Sequence, residues 1–140
     1  MKQVQLYTDG ACEPNGNGGW GFVLRYEGIA FYRTFGWEKH TTNNRMELTA
    51  IIKGLEALKE PCMVNVFSDS QYVVGAFQDG YIHKWKNDLF AHTKNADLWR
   101  RLLKLKEQHD VNFVKVCAHS GDRFNEMADN LAKQGLKQGE

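Results

Sequence analysis

The sequence predicts an α/β fold in which a five-stranded mixed sheet is flanked by helices. Val4, Leu6 and Thr8 alternate with polar neighbours, which is the period of a strand. Apolar residues from Met46 to Leu58 recur instead every three or four positions, which is typical of an amphipathic helix. Short apolar runs and helical stretches then alternate along the chain, and this alternation favours helices packed against a sheet.

Each element has a local signal. Strands are expected at residues 4–8, 20–26, 29–35, 63–67 and 111–116. A Glu27-Gly28 turn between the second and third runs predicts an antiparallel hairpin. The first helix is expected to begin after Thr42 or Asn43 as N-cap and to end before Pro61. Further helices are expected at residues 70–76, 98–105 and 125–136.

Length and composition indicate one domain. The 140 residues, 42% of them hydrophobic, are enough for a single core, and we expect a catalytic domain over residues 1–136 with a short tail at 137–140. No run of about 18 apolar residues and no secretory leader is visible, so we expect a cytoplasmic protein that does not associate with membranes. No obvious excess apolar face is visible, which favours a monomer without an obligate protein partner.

Cysteines and charge exclude two classes of protein. The three cysteines are odd in number and lack C-x-x-C spacing, so we interpret them as reduced thiols and not as a disulfide framework or zinc site. A net charge of +1 excludes a uniformly basic nucleic-acid binder. A local basic patch remains, since Tyr81 to Lys104 contains six basic and two acidic residues.

Four acidic residues stand where a metal ion could use them: Asp9, Glu47, Asp69 and Asp129. Each has an ordinary explanation when taken alone. Asp9 and Asp69 follow apolar strands and could belong to a turn or cap the next helix. Glu47 could complement the dipole of its helix, and Asp129 could face solvent.

Together the acids predict a cation site. If the first and fourth strands are adjacent and parallel, Asp9 and Asp69 end side by side and repel each other unless a cation lies between them. Oxygen-only ligands favour Mg²⁺ or Mn²⁺. Two such ions about 4 Å apart would hold the attacking and leaving oxygens of a phosphodiester. The expected reaction is therefore phosphodiester hydrolysis.

Five segments carry a recognisable pattern: Tyr7–Cys12, Thr41–Leu48, Ser68–Val73, Ala118–Gly121 and Asn125–Ala132. In order and spacing they resemble the signature segments of type 1 ribonuclease H. The resemblance spans almost the whole chain and implies the ribonuclease H-like fold. It also implies an endonuclease that hydrolyses the RNA strand of RNA/DNA hybrids by in-line attack of water, leaving 3′-hydroxyl and 5′-phosphate ends. Two Mg²⁺ ions would act in the substrate complex, and Mn²⁺ is expected to substitute.

The resemblance also implies roles for individual residues. Asp9, Glu47, Asp69 and Asp129 match the metal-binding carboxylates, and His119 matches a loop histidine that assists proton transfer or product release. Five residues match contacts to the 2′-hydroxyls of the RNA strand: Cys12, Asn15, Asn43, Asn44 and Gln71. Amides suit this contact because they donate and accept hydrogen bonds, as a 2′-hydroxyl does. The thiol of Cys12 could equally be a small filler.

Four further residues match contacts to the DNA strand: Thr42 and Asn95 to a phosphate, Tyr81 and Trp85 to deoxyriboses. The two aromatic residues could equally belong to the core, but the adjacent Lys84 and Lys86 favour nucleic acid. The segment after Trp85 is shorter and less basic than the protrusion of the best-known bacterial members. A shortened basic protrusion predicts weaker binding and a shallower dependence on salt.

Two other functions compete with hybrid cleavage. A nuclease with the same carboxylate site could act on another substrate, as a junction resolvase or exonuclease does, but the amides suited to 2′-hydroxyls argue against it. A non-catalytic module could bind hybrids with vestigial acids, but all four acids are present. Cleavage of a hybrid therefore remains the favoured function.

Overall fold

A computed structural model describes residues 1–117 and 121–140 of the chain. Five strands form one sheet in the order β3-β2-β1-β4-β5. The strands are β1 (Lys2–Cys12), β2 (Gly18–Tyr26), β3 (Ile29–Glu38), β4 (Cys62–Ser68) and β5 (Asp110–Lys115). The helices are α1 (Asn43–Glu56), α2 (Gln71–Gln78), α3 (Tyr81–Asn87), α4 (Ala96–Gln108) and α5 (Arg123–Gln138).

The sheet is mixed, as the sequence predicts. β1, β2 and β3 pair antiparallel, whereas β4 pairs parallel with both β1 and β5. In the β1–β4 register Tyr7 lies opposite Phe67. Asp9 and Asp69 each follow two residues later, so the carboxyl ends of these central strands bring the two acids to the same edge.

The two faces of the sheet are covered differently. Leu6 and Phe22 face a large core that contains the apolar side of α1, including Ile51, and the buried Trp99 of α4. A smaller cluster on the other face packs Tyr7 and neighbouring side chains against α5. None of the helices in the described residues is long and apolar enough to cross a membrane.

Several boundaries differ from the sequence prediction. β1 was expected to stop at Asp9-Gly10, with Asp9 at its carboxyl end, but it continues to Cys12 because Asp9–Cys12 pair with the glycine-rich start of β2. The first helix begins after Thr42, whose hydroxyl accepts a hydrogen bond from Arg45 N, and ends at Glu56, two residues before Leu58. Extra backbone pairing and a terminating turn at Ala57 are not visible in apolar periodicity.

The three cysteines are free thiols, as predicted. Cys62 is buried, Cys12 half-buried and Cys117 exposed. Burial raises the pKa of both Cys12 and Cys62, with a smaller contribution from a neighbouring glutamate in each case. A raised pKa keeps a thiol protonated and unreactive at neutral pH.

Candidate active site

Glu47 reaches the sheet because α1 crosses β1 at a glycine. A Cβ on Gly10 would collide with the backbone of Met46 and Glu47. Only glycine therefore permits this close approach of strand and helix. The approach places the side chain of Glu47, which is only 9% exposed, beside that of Asp9.

Asp129 reaches the same place through a second close approach. Gly21 is the β2 neighbour of Asp9, and a Cβ there would lie 2.5 Å from Leu131 Cβ and 2.8 Å from Ala132 N of α5. The missing side chain lets α5 pack directly on β2. Asp129 then contacts the Asp9 side chain and forms an ion pair of 3.0 Å with Lys133, one turn further along α5.

Asp69 lies at the junction between β4 and α2. Ser68, which is fully buried, accepts a hydrogen bond from Ser70 N through its hydroxyl. Ser70 is the N-cap of α2, and its own hydroxyl accepts from Val73 N. Ser68 therefore stabilises the turn and Ser70 caps α2. The carboxylate of Asp69 does not have the capping role that the sequence alone allowed.

The carboxylates of Asp9, Glu47 and Asp69 converge so that one oxygen from each lies within 4.8 Å of the others. Burial, the Asp129 carboxyl and the charge of Asp69 together raise the pKa of Asp9 to about 7. Burial and the charges of Asp9 and Asp69 raise the pKa of Glu47 well above its usual value. Like charges in a desolvated site favour the protonated forms in the absence of a cation.

This donor set fits a hard divalent cation. All the converging groups are carboxylates, which are the ligands that Mg²⁺ and Mn²⁺ prefer. Glu47 Oε2 is buried and has no hydrogen-bond partner in the described part of the chain. A buried oxygen without a partner is unfavourable, and a cation would satisfy it.

The residues expected to contact the RNA strand lie around α1 and α2. Asn43 and Asn44 form the exposed first turn of α1, and Gln71 is exposed at the start of α2. Asn15 is exposed in the β1–β2 loop, where its side chain accepts from Asn17 N. The Cys12 thiol donates to Thr41 O at 3.4 Å, so it connects this loop to the segment before α1. His119 lies outside the described residues.

The two residues expected to hold a DNA phosphate are connected through Arg45. Its backbone N–H donates to the hydroxyl of Thr42, and its guanidinium donates to Asn95 Oδ1 at 3.3 Å. The same guanidinium forms a two-pronged ion pair with Asp97, at 3.0 and 2.8 Å. Arg45 thus joins the start of α1 to the start of α4.

The aromatic residues expected to face deoxyriboses lie one turn apart on α3. Their rings stack with centroids 6.2 Å apart, and Tyr81 is 55% exposed. Trp85 is partly buried, with its ring 5.3 Å from that of Trp99. Lys84 and Lys86 are exposed on the same helix, and neither forms an ion pair with another described residue.

Sequence reasoning missed the residues that support the site. Arg45 lies inside a recognised motif but was given no role, and its partner Asp97 is distant in sequence. No pattern in the sequence marks Tyr72, although its hydroxyl accepts hydrogen bonds from both Asn95 and Trp99. Lys133 could have been found, because its four-residue separation from Asp129 is the spacing of a helical ion pair.

Comparison with solved structures shows which proteins have a similar fold. LC9-RNase H1, described as a type 1 RNase H with the type 2 active-site motif, is 26% identical and superposes with a TM-score of 0.85, covering 100% of this chain and 74% of that one. The N-terminal RNase H domain of a Mycobacterium tuberculosis protein, solved as a maltose-binding-protein fusion, gives a TM-score of 0.78 at 24% identity and covers 99% and 96%. The latter likeness concerns the fold alone.

Sequence comparison gives the family. The RNase H family model matches residues 1–137. Ribonuclease H of Thermoanaerobacter sp. (strain X514) is 48% identical over 140 residues, covering 96% of this chain and 90% of the relative. Ribonuclease H of Caldicellulosiruptor saccharolyticus is 48% identical over 144 residues and covers 99% of both. The chain therefore belongs to the RNase H family of enzymes.

Proposed function

We propose that this chain is an endonuclease that hydrolyses the RNA strand of RNA/DNA hybrids and leaves 3′-hydroxyl and 5′-phosphate ends. The convergence of Asp9, Glu47 and Asp69 where the β1–β4 pairing ends is the observation that carries the proposal. Ligand sites of α/β sheets commonly lie at such an edge. Membership of the RNase H family supports the choice of substrate.

Four carboxylates are proposed to hold the cofactor: Asp9, Glu47, Asp69 and Asp129. Two Mg²⁺ ions, for which Mn²⁺ would substitute, would supply a lowered pKa for the attacking water and neutralise charge on the phosphate and the leaving oxygen. Glu47 contributes an oxygen that has no hydrogen-bond partner among the described residues, and Asp9 is the acid on which the other three converge. Displacing protons from these two acids makes binding of the ions dependent on pH.

Hydrolysis of the RNA backbone needs a proton at the end of the reaction. Water gives up one proton as its oxygen bonds to phosphorus, the bond from phosphorus to the 3′-oxygen breaks, and that oxygen takes up a proton. We propose that the His119 imidazole assists this proton transfer or the release of product. An imidazole suits the role because its ordinary pKa is close to neutrality.

The two strands are proposed to be recognised on two sides of the carboxylates. Residues suited to 2′-hydroxyls lie at the starts of α1 and α2 and in the adjoining loop: Cys12, Asn15, Asn43, Asn44 and Gln71. The residues proposed for the DNA strand are Thr42, the N-cap of α1, Tyr81 and Trp85 on α3, and Asn95, the N-cap of α4. The exposed Lys84 and Lys86 would add phosphate contacts that do not depend on sequence.

Cleavage of matched duplexes tests the proposal. A labelled RNA/DNA hybrid, the corresponding RNA duplex and the DNA duplex are incubated at low salt with Mg²⁺ or with EDTA, using the Asp9→Asn protein as the inactive control. We expect cleavage of the hybrid alone, within the RNA strand and only with Mg²⁺. Equal rates on the hybrid and the RNA duplex would contradict the two-strand arrangement, and cleavage in EDTA would contradict the cation site.

Two further expectations remain predictions. We propose a single domain over residues 1–136 and a monomeric state, in keeping with the one sheet and one main core of the described residues. Light scattering coupled to size-exclusion chromatography would measure the mass in solution directly. A mass near 16.1 kDa is the result expected for a monomer.

A further inference from the structure

The side-chain amide of Asn95 is held in one orientation by two partners. Its Oδ1 accepts from Arg45 Nη1 at 3.3 Å, and its Nδ2 donates to the hydroxyl of Tyr72 at 3.1 Å. An arginine only donates hydrogen bonds, so the oxygen of the amide must face Arg45. The nitrogen must then face Tyr72.

The Tyr72 hydroxyl is itself fixed to the core. It accepts a second hydrogen bond, of 3.0 Å, from Nε1 of Trp99. Trp99 is fully buried, and its ring packs 5.5 Å from that of Tyr72 and 5.3 Å from that of Trp85. The indole and amide N–H groups only donate, so both bonds use the hydroxyl as an acceptor.

Asn95 gives up its usual local role to make these contacts. It is the N-cap residue of α4, yet its side chain makes no capping hydrogen bond, and its backbone is left-handed at φ 61°. Asparagine is a preferred N-cap, and a cap of this kind stabilises a helix by about 1 kcal/mol. Asparagine tolerates the left-handed backbone, and its side chain is diverted from capping α4 to the contacts with Arg45 and Tyr72.

The fixed amide leaves one hydrogen-bond donor without an acceptor among the described residues. One Nδ2 hydrogen of Asn95 is used by Tyr72, and no described residue accepts the other. Thr42 accepts from Arg45 N, which leaves its hydroxyl proton free to donate. Thr42 bonds the backbone of Arg45 and Asn95 bonds its guanidinium, so Arg45 joins the two residues that offer these donors.

We propose that Tyr72 is a positioning residue for the DNA strand: its hydroxyl, anchored on Trp99, aims the Asn95 amide so that the free N–H donates to a backbone phosphate. The proposal rests on the function proposed above and adds a residue that does not itself touch the substrate. Its effect is expected on substrate binding, because the hydrogen-bonded path from Trp99 through Tyr72 to Asn95 does not include the carboxylates.

The Tyr72→Phe variant tests the proposal by removing one oxygen atom. We expect KM for the hybrid to rise about 2- to 10-fold, which corresponds to the loss of one hydrogen bond, while kcat stays the same. Tyr26→Phe is the matched control, since Tyr26 is also partly buried but lies at the opposite end of β1 and β2, beside Val4. Thermal melts of both variants verify that they are folded at the assay temperature.

A double-mutant cycle separates positioning from a general structural role. If Tyr72 acts through Asn95, then Tyr72→Phe has no further effect on KM in an Asn95→Ala background. Multiplicative effects of the two changes would overturn the proposal. An unchanged KM in folded Tyr72→Phe, or a loss of kcat at unchanged KM, would also overturn it.

Hybrids with single neutral methylphosphonates in the DNA strand identify the contact itself. Wild-type protein should lose affinity for a hybrid neutralised at one particular phosphate, and Tyr72→Phe should lose less at that position. If wild-type protein cleaves hybrids but no DNA-strand phosphate matters, the positioning proposal fails alone. If wild-type protein does not cleave hybrids, the proposed function fails first.

Discussion

Two regions that share helix α1 differ in whether their charged side chains are paired. Glu47 turns towards the sheet and meets two other carboxylates, and among the described residues none of these three acids forms an ion pair. Arg45, two residues earlier, turns away to a network in which Asp97 neutralises its charge. We call these regions the acidic centre (Asp9, Glu47, Asp69 and Asp129) and the Asn95 network (Arg45, Tyr72, Asn95, Asp97 and Trp99).

The difference indicates how each region would respond to a bound ligand. The acidic centre is electrostatically unfavourable by itself, because burial and mutual repulsion raise the pKa of two of its members. A bound cation would offset the cost of burying these carboxylates in their charged form. The Asn95 network is already satisfied internally and presents donors in a fixed arrangement, so it would bind without reorganising. We therefore expect metal dependence to respond to changes in the acidic centre only, and the free energy of unfolding to respond more strongly there than in the Asn95 network.

The largest effect is expected from Asp9→Asn. Removing this charge should abolish Mg²⁺-dependent cleavage while raising the stability of the metal-free protein at pH 8 by about 2 kcal/mol, since an amide of the same shape relieves repulsion without opening a cavity. Cleavage assays and chemical denaturation measure the two effects. Turnover close to that of the wild type would contradict the role given to the acidic centre.

Gly21→Ala should disturb the acidic centre indirectly, by displacing the helix that carries Asp129. The new Cβ would lie 2.5 Å from Leu131 Cβ, so α5 must shift and carry Asp129 with it. We expect a loss of about 1–3 kcal/mol in the free energy of unfolding, typical of overpacking, together with a weaker response of activity to Mg²⁺. Denaturation and Mg²⁺ titration of activity check both parts. A variant as stable as the wild type would show that α5 is not held at this distance.

The stability of the metal-free protein should fall as pH rises from about 4 to about 7. Asp9 has a pKa of about 7 when folded, against an ordinary value of 3.8, so the folded state binds the proton more tightly in this window. Ionisation therefore penalises the folded state, by about 2–4 kcal/mol for a shift of this size. Denaturation at pH 5 and pH 8 should show the decline in the wild type and a smaller one in Asp9→Asn. A pH profile that rises through this window in both proteins would contradict the account.

The smallest effect is expected in the Asn95 network. Arg45 lowers the pKa of Asp97 to about 2, so this pair stabilises the fold above pH 3.8 and loses its contribution as pH falls towards 2. The Asp97 side chain is 63% exposed, and an exposed ion pair contributes less than about 1 kcal/mol. Asp97→Asn should therefore destabilise slightly at pH 6 and hardly at all at pH 2.5. If the free energies of unfolding of Asp97→Asn and the wild type differed more at pH 2.5 than at pH 6, the direction assigned to the Asp97 pKa shift would be wrong.

Local patterns in the sequence predict the fold class and the acids, because each depends on neighbours along the chain. Alternation marked the central strands, and two acids at strand ends predicted a shared edge, which the parallel pairing of β1 and β4 confirms. The continuation of β1 to Cys12 was missed because it depends on pairing with β2. Backbone pairing with a glycine-rich strand leaves no apolar signature.

The Asn95 network was beyond sequence reasoning for a different reason. Its hydrogen bonds join residues 23, 27 and 50 positions apart, and the residues involved are ordinary members of three helices or their caps. Polar contacts of this kind depend on how α1, α2 and α4 pack. The close approaches at Gly10 and Gly21 are equally invisible, because a glycine in a strand does not reveal which helix it admits.

Thermal unfolding with and without Mg²⁺ tests the contrast between the two regions most directly. Wild-type protein, Asp9→Asn and Asp97→Asn are each melted at pH 8 in EDTA and in excess Mg²⁺, without nucleic acid. The account predicts that Mg²⁺ raises Tm of the wild type and of Asp97→Asn by the same amount and leaves Asp9→Asn nearly unchanged. An equal rise in all three proteins would show that the cation binds outside the acidic centre.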